Sequence, residues 1–547
     1  MKSKSFVLAG ILGILALLLI SGLAVAAEPP VWDVKSKGAI SDGATDNTTL
    51  IQNLVNTAPA GSVLYFSSGT YLVNGPITIN KSITLAGEPG AVINCAQAAG
   101  DVFRLNPNGY AAATTLLTAN ANAGSNILKV KSTSGYKVGD YIKVFDDETI
   151  EGFKKGEIVQ ISKISYLTLT VSRNLDGTYT RTRKAGIRKL TMVPAVKFTG
   201  LSFVGPGVES NPVLIQAYCL NGFEFTGCAV RDFGLAAVAL TDCLNARISN
   251  SGFDNVFKTG FGYSVVLGNA CDNITIEACR FTTRGRHYIA TGASSGTYLA
   301  GGFPRSIQIS NCSFSDSTDE AINTHSPFAG PMTITNCSFQ NCLKGVEITN
   351  GKCLISGNQF SGCSIAVELF GQQVSFTIQN NGMQNNQRGI RVQSANTVIS
   401  GNTLENTPIV LLSAKNTQIS GNTISGLPAN VNPIEVAGAS TNRCNGIKIE
   451  NNRFEQNAGA DAVKAYLVDN LNLRGNLVNY SGSFFVDTAT TVTMTENTSQ
   501  FSNSYGIVVA RVQGGSLIGN TIQTPTHTPG IYVVSSSGVV ESGNNLI

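Results

Sequence analysis

One short phrase recurs along the chain: an aliphatic residue, two spacers, Cys or Asn, one spacer, then an aromatic or aliphatic residue. It reads FTGCAV at Phe225, IEACRF at Ile276, ISNCSF at Ile309, ITNCSF at Ile334, ISGNQF at Ile355, ISGNTL at Ile399, ISGNTI at Ile419 and IENNRF at Ile449. Counted on its fourth position, the phrase returns most often after about 20 to 25 residues. A unit of that size cannot bury its own apolar face, so the chain must stack unit upon unit. Within a unit the apolar residues alternate with period two and Gly, Asn and Ser mark the joins, which is the pattern of short strands rather than helices. The leucine spacing of a leucine-rich repeat is absent. The expectation is an all-β, right-handed parallel β-helix, each repeat one coil about 4.8 Å from the next. An Asn recurring at one position would then form a column of amides that bond one another, since each amide carries donors and an acceptor.

Composition fits a long solenoid with many turns: 57 Gly, one Trp and 13% charged residues. The net charge of +4 includes Lys2 and Lys4; without them 36 basic residues face 34 acidic ones, so nothing electrostatic calls for nucleic acid. Lys2 and Lys4 precede an apolar run from Phe6 to Ile20 and the small residues Ala24 to Ala27, so residues 1–27 are expected to be a signal peptide. The protein is then secreted or held at the cell surface, off the membrane once cleaved. An uncleaved amino-terminal anchor is the alternative, because the run approaches spanning length.

Twelve cysteines in an exported chain invite disulfides. Their positions argue for packing instead. Cys228, Cys279, Cys312 and Cys337 occupy the repeat column, and Cys219, Cys243, Cys271 and Cys444 fall eight or nine residues before it. Buried, unpaired thiols are expected, with no zinc site, since Cys337 and Cys342 lack a companion pair at zinc spacing.

Ahead of the coils stand GAISDGATD from Gly38, a short amphipathic helix over Thr49 to Thr57, PAGSVLYFSSGTYLV and SITLAGEPGAVI. These segments resemble the pectate-lyase-like superfamily of secreted and phage β-helix proteins. The resemblance implies an amino-terminal cap over the open end of the helix, hiding a sheet edge that would otherwise aggregate; it implies little about reaction. The domains expected are the cap and first coils over 28–110, a small all-β insertion over 111–192 and the coils over 193–547. The insertion, with GYKVGDYIKV at its centre, is read as a structural lid beside the first coils, with glycan binding as the alternative.

Chemistry is expected where the period breaks, because extra residues in a solenoid become loops on one face. Ser251 to Cys279 spans 28 residues and Cys279 to Cys312 spans 33. The longer interval holds Arg284, Arg286, His287, Tyr288 and the stretch Tyr298 to Arg305, and the next coil holds Asp316, Asp319, Glu320 and His325. Two of the three histidines thus lie on adjacent coils among charges; the third, His527, is read as a turn residue. The candidate catalytic residues are His287, His325, Arg286, Asp319 and Glu320, with Arg284, Tyr288, Arg305 and Lys258 binding substrate.

Two reactions suit such a set. A polysaccharide lyase needs a base, here His287 or His325, and a cation such as Arg284, Arg286 or Arg305 to hold the uronate and its developing charge. A glycoside hydrolase needs two carboxyl groups. Asp319 and Glu320, adjacent on a predicted strand, would face opposite ways, so one of them would need a partner from another coil, such as Glu347 or Asp254. The paired Asp-Asp, Gly-His-Gly and Arg-Ile-Lys set of polygalacturonase-like members is missing. The function expected is extracellular polysaccharide degradation, as lyase or glycoside hydrolase, on a glycan bound along the β-helix wall; the alternative is a non-catalytic surface protein that binds glycan or is structural. No cofactor or metal is required by these residues, although a divalent cation such as calcium would suit Asp316, Asp319 and Glu320.

Overall fold

The computed structural model describes residues 28–150, 152–292, 301–325, 330–457, 460–479, 482–500, 505–524 and 530–547. The expected signal segment, His527 and Tyr298 lie outside them. The repeat phrase folds as it does because of one backbone turn. The residue before each Cys or Asn sits in the left-handed region: Asn311 (φ 54°), Asn336 (53°), Gly357 (70°), Gly401 (63°) and Gly421 (63°). Gly and Asn are the residues that tolerate this conformation. The turn swings the next side chain inward, where Cys312, Cys337, Asn358, Asn402 and Asn422 are all buried.

Those buried amides satisfy one another along the axis. Asn402 Oδ1 accepts from both the backbone N–H and the side-chain Nδ2 of Asn381, each at 2.9 Å. Its own Nδ2 donates to Ile378 O at 3.0 Å and to Asn422 Oδ1 at 2.9 Å. The same exchange runs from Asn358 to Asn544. At its other end Cys337 N–H donates to Asn358 Oδ1 at 2.8 Å, so the thiol column continues the amide column. All twelve cysteines are free and buried, acting as small apolar fillers.

Each coil contributes strands to three parallel ladders. One ladder runs through Val213–Tyr218, Ala236–Thr241, Tyr263–Gly268, His287–Thr291 and Glu320–Thr324 into Lys344–Ser356. A second contains Leu244–Ser249, Asp272–Glu277 and Arg305–Ser310. The third contains Gly252–Asp254, Arg280–Thr282 and Ser313–Ser315. Inside the third, phenylalanines stack: Phe281 on Phe314 at 4.9 Å, Phe314 on Phe339 at 4.8 Å and Phe339 on Phe360 at 4.6 Å. Burying each ring contributes about 2–3 kcal/mol, and the repeat's final aromatic position is thereby explained. At the amino end the helix Thr48–Thr57 lays Ile51, Leu54 and Val55 onto the core. Among the described residues, no helix is long and apolar enough to cross a membrane.

A six-stranded antiparallel sheet leaves the solenoid between the coil of Ile83–Gly87 and that of Val196–Thr199, which pair with each other. It has its own core of Leu128, Val130, Ile142, Val144, Val159 and Ile161. It docks on the coils through a fully buried ion pair, Lys143 Nζ lying 2.8 Å from each Asp242 carboxylate oxygen, with Tyr110 donating to the same group at 2.6 Å.

The amide column makes a direct prediction. Replacing Asn402 by Ala leaves the buried Asn381 N–H and one Asn381 amide hydrogen without their acceptor, at roughly 1–3 kcal/mol each. The N402A variant should therefore unfold at clearly lower urea, whereas N430A, at an exposed position of ordinary backbone conformation, should stay within about 0.5 kcal/mol of the parent. Equal midpoints for the two variants would contradict a structural role for the column.

Candidate active site

In the first ladder, Asn323, Glu347, Glu368 and Arg391 stand in one register on successive coils. Lys344 reaches into this row from the start of its strand. Its Nζ lies 2.9 Å from Glu320 Oε1 and 3.0 Å from Glu368 Oε2, and it also bonds Glu347. Burial works against the ammonium, but the three carboxyl groups outweigh it and raise the Lys344 pKa. Asn323 Nδ2 bridges Glu320 Oε2 at 3.0 Å and Glu347 Oε1 at 3.3 Å. Glu368, fully buried, is held from the far side by Arg391.

One lysine cannot neutralise three carboxylates equally. Burial would raise the Glu320 pKa, yet Lys344 and Asn323 bring it down to about 2, so Glu320 is ionised. Burial and the neighbouring Glu320 charge push Glu347 up to about 7 despite Lys344. Asp319 is also raised, by burial and by Glu320, with Arg286 opposing at 3.3 Å. The wall therefore carries a permanently charged carboxylate beside one that holds its proton near neutrality, and unlike environments of this kind separate acid from base.

His287 lies behind this row rather than in it. It is wholly buried, with Nδ1 3.1 Å from Glu320 O and 3.2 Å from Glu320 Oε2. Both neighbours are acceptors, so Nδ1 carries the hydrogen. Burial, then His325 and Arg286, push its pKa down to about 3. The His325 ring packs edge-on at 4.7 Å, and Tyr263 stacks on His287 at 5.7 Å. His287 Nε2 is enclosed 4.0 Å from Asp319 Oδ2, and His325 Nε2 is enclosed as well. His287, Asp319 and Glu320 offer atoms within 4.8 Å of one another, a spacing a cation could bridge. Glu320, however, is already taken by Lys344, Asn323 and His287, which leaves too few free ligands to fit a metal.

The cluster brings together Arg286, His287, Asp319, Glu320 and His325 of the expected residues, and Glu347 as the partner from the next coil. Three expectations change. Asp319 precedes the strand Glu320–Thr324 instead of lying on it, so the adjacent carboxyl groups converge on His287 and do not face opposite ways. Tyr288 points into the core, packed on Phe281 and Phe314, and cannot hold substrate. Arg305 is occupied by Asp176 and Asp272, joining the insertion to the coils. Arg284 lies over the Phe257 ring at 4.2 Å and Lys258 bonds Asn211; Asp254 accepts from Thr282 in the third ladder, and Asp316 is exposed beside Asn341. Sequence reasoning missed Lys344, Asn323, Glu368 and Arg391. The aligned strand phrases GVEI, AVEL and GIRV would have placed Glu347, Glu368 and Arg391 in one column.

Residues 31–138 match the family model described as rhamnogalacturonase A/epimerase, pectate lyase-like, and residues 305–427 and 406–547 match the right handed beta helix region. With the fold above, the chain belongs to the pectate-lyase-like superfamily of right-handed parallel β-helix proteins. It is 25% identical over 317 residues to a capsule K1-specific depolymerase of Klebsiella phage K64-1, covering 55% of this chain and 32% of that protein. The chain thus spans about a third or less of the length of the curated relatives it matches. Among solved structures it resembles the tailspike gp61 of Pseudomonas phage phi297 at TM-score 0.56 and 15% identity, over 92% of this chain and 82% of that one. It also resembles the catalytic unit of a thermostable α-1,3-glucanase from Streptomyces thermodiastaticus at TM-score 0.51 and 12% identity, over 80% and 70%. At such identities the structures share the fold.

A titration follows from His287. Its folded pKa lies below the ordinary 6.5, so its contribution to stability is present above pH 6.5 and is lost as pH falls toward 3. The thermal midpoint of the native protein should drop on acidification through this window, and that of H287Q should drop less. Parallel curves would contradict a buried, neutral His287.

Proposed function

We propose that this chain is an extracellular polysaccharide-degrading enzyme, and specifically a glycoside hydrolase acting on a glycan laid along the wall of the first ladder. The observation that carries this reading is the shared Lys344: it keeps Glu320 charged, while burial and then the Glu320 charge keep Glu347 protonated near pH 7. Glu347 is the proton donor to the glycosidic oxygen. Asp319, one third exposed on the preceding coil, is the second carboxyl that meets the anomeric carbon or its attacking water. Glu320, Lys344 and His287 position these two. Capsule depolymerase and glucanase relatives support a glycan as the ligand, and action outside the cell suits the apolar run after Lys2 and Lys4. Elimination with His287 as the base is disfavoured because that ring is wholly buried and cannot reach a sugar proton.

Incubation with a polysaccharide panel tests this. Reducing ends should appear without the ultraviolet absorbance of a new C=C bond, and E347Q and D319N should each lose about a hundredfold or more of the rate while still binding glycan. Activity should fall as pH rises past about 7, where Glu347 loses its proton. New C=C absorbance, or an undiminished E347Q, would overturn the assignment; binding without turnover would make the protein a glycan-binding wall.

A further inference from the structure

The shorter of the two irregular intervals named in the sequence, Ser251 to Cys279, builds a loop that the reaction above does not use. Its tip is a tight turn in which Phe261 N–H donates to Lys258 O at 2.9 Å. Gly260 (φ 75°) and Gly262 (φ 98°) flank Phe261, and a Cβ on Gly262 would come within 2.6 Å of Lys258 N, so the turn needs glycine there. The turn presents the Phe261 ring to solvent, 50% exposed.

The loop is fastened on every side. At its base Phe257 is buried beneath the Arg284 guanidinium, and Thr259 is held through its N–H and hydroxyl by Glu209, each at 2.9 Å. At its tip Arg286 NH1 donates to Gly260 O at 2.9 Å and to Tyr263 OH at 3.2 Å, while Arg286 Nε faces Asp319 Oδ2 at 3.3 Å. The His287 N–H donates to Gly262 O at 3.1 Å. A single guanidinium and a single backbone bond therefore tie the residues flanking Phe261 to the catalytic coil.

An isolated exposed apolar side chain is ordinary on a protein surface. This one differs in being aromatic and carried on a fastened turn one arginine away from Asp319. We propose that Phe261 is a stacking platform for a pyranose ring of the bound glycan, in the subsite on the amino-terminal side of Asp319. The flat ring offers the apolar C–H face of a sugar a broad surface, and a side chain with only two torsions, carried on a fastened backbone, loses little freedom on binding. Arg286 then has two tasks, holding Asp319 and setting the distance from platform to reaction centre. The inference rests on the glycan reading above.

The test is binding by the full chain in the E347Q background, so that turnover does not consume the ligand, titrated calorimetrically with whichever polysaccharide of the panel the native protein binds. F261A should weaken affinity at least tenfold and F261W should restore it, with circular dichroism unchanged; in the active protein F261A should raise KM by a like factor. Affinity of F261A within twofold of its parent overturns the platform and leaves the hydrolase reading standing. Binding by the native protein without turnover defeats the hydrolase reading while the F261A comparison still decides the platform. A native protein that binds no polysaccharide of the panel overturns both.

Discussion

Parallel stacking in register, one coil about 4.8 Å above another, is the constraint from which the rest of the structure follows. It turns any repeated residue into a column. Where the column is Asn, each amide satisfies the coil beside it; where it is Phe, rings stack at 4.6 to 4.9 Å. Where the outward position changes from coil to coil, the same geometry forces unlike side chains against one another. Asn323, Glu347, Glu368 and Arg391 meet for that reason alone.

Like charges at such spacing repel unless a proton or a cation intervenes. Lys344 supplies the cation and Glu347 keeps the proton. The buried Glu368 is balanced from both sides, by Lys344 and Arg391. His287 adds a neutral donor that fixes Glu320 from behind. On the reading proposed above, His287 is a support, and the reacting groups are the partly exposed carboxyls of Asp319 and Glu347.

The fold was legible because its cause is local and repeated: a left-handed residue followed by an inward Cys or Asn leaves the same trace in every coil. The irregular intervals drew attention to Arg286, His287, Asp319 and Glu320, which the structure brings together. What escaped was set by registers that single motifs do not carry. Tyr288 and His287 are neighbours in sequence, yet one enters the phenylalanine core and the other backs the wall, because adjacent residues of the strand face opposite sides. Arg305 was drawn off by Asp176, 129 residues earlier in the chain, in the docked insertion. Lys344 and Glu368 sit in coils of regular length, where nothing in the spacing marks them.

The central claim is that Glu347 and Asp319, on neighbouring coils, flank the bond that is broken. A crystal structure of the full chain carrying E347Q, soaked with the polysaccharide it cleaves, tests this most directly. The account predicts a glycan running along the first ladder with a glycosidic oxygen within hydrogen-bond reach of the residue 347 amide and the adjoining anomeric carbon facing Asp319. A glycan seated on the third ladder or on the insertion, with the row from Asn323 to Arg391 left bare, would contradict it.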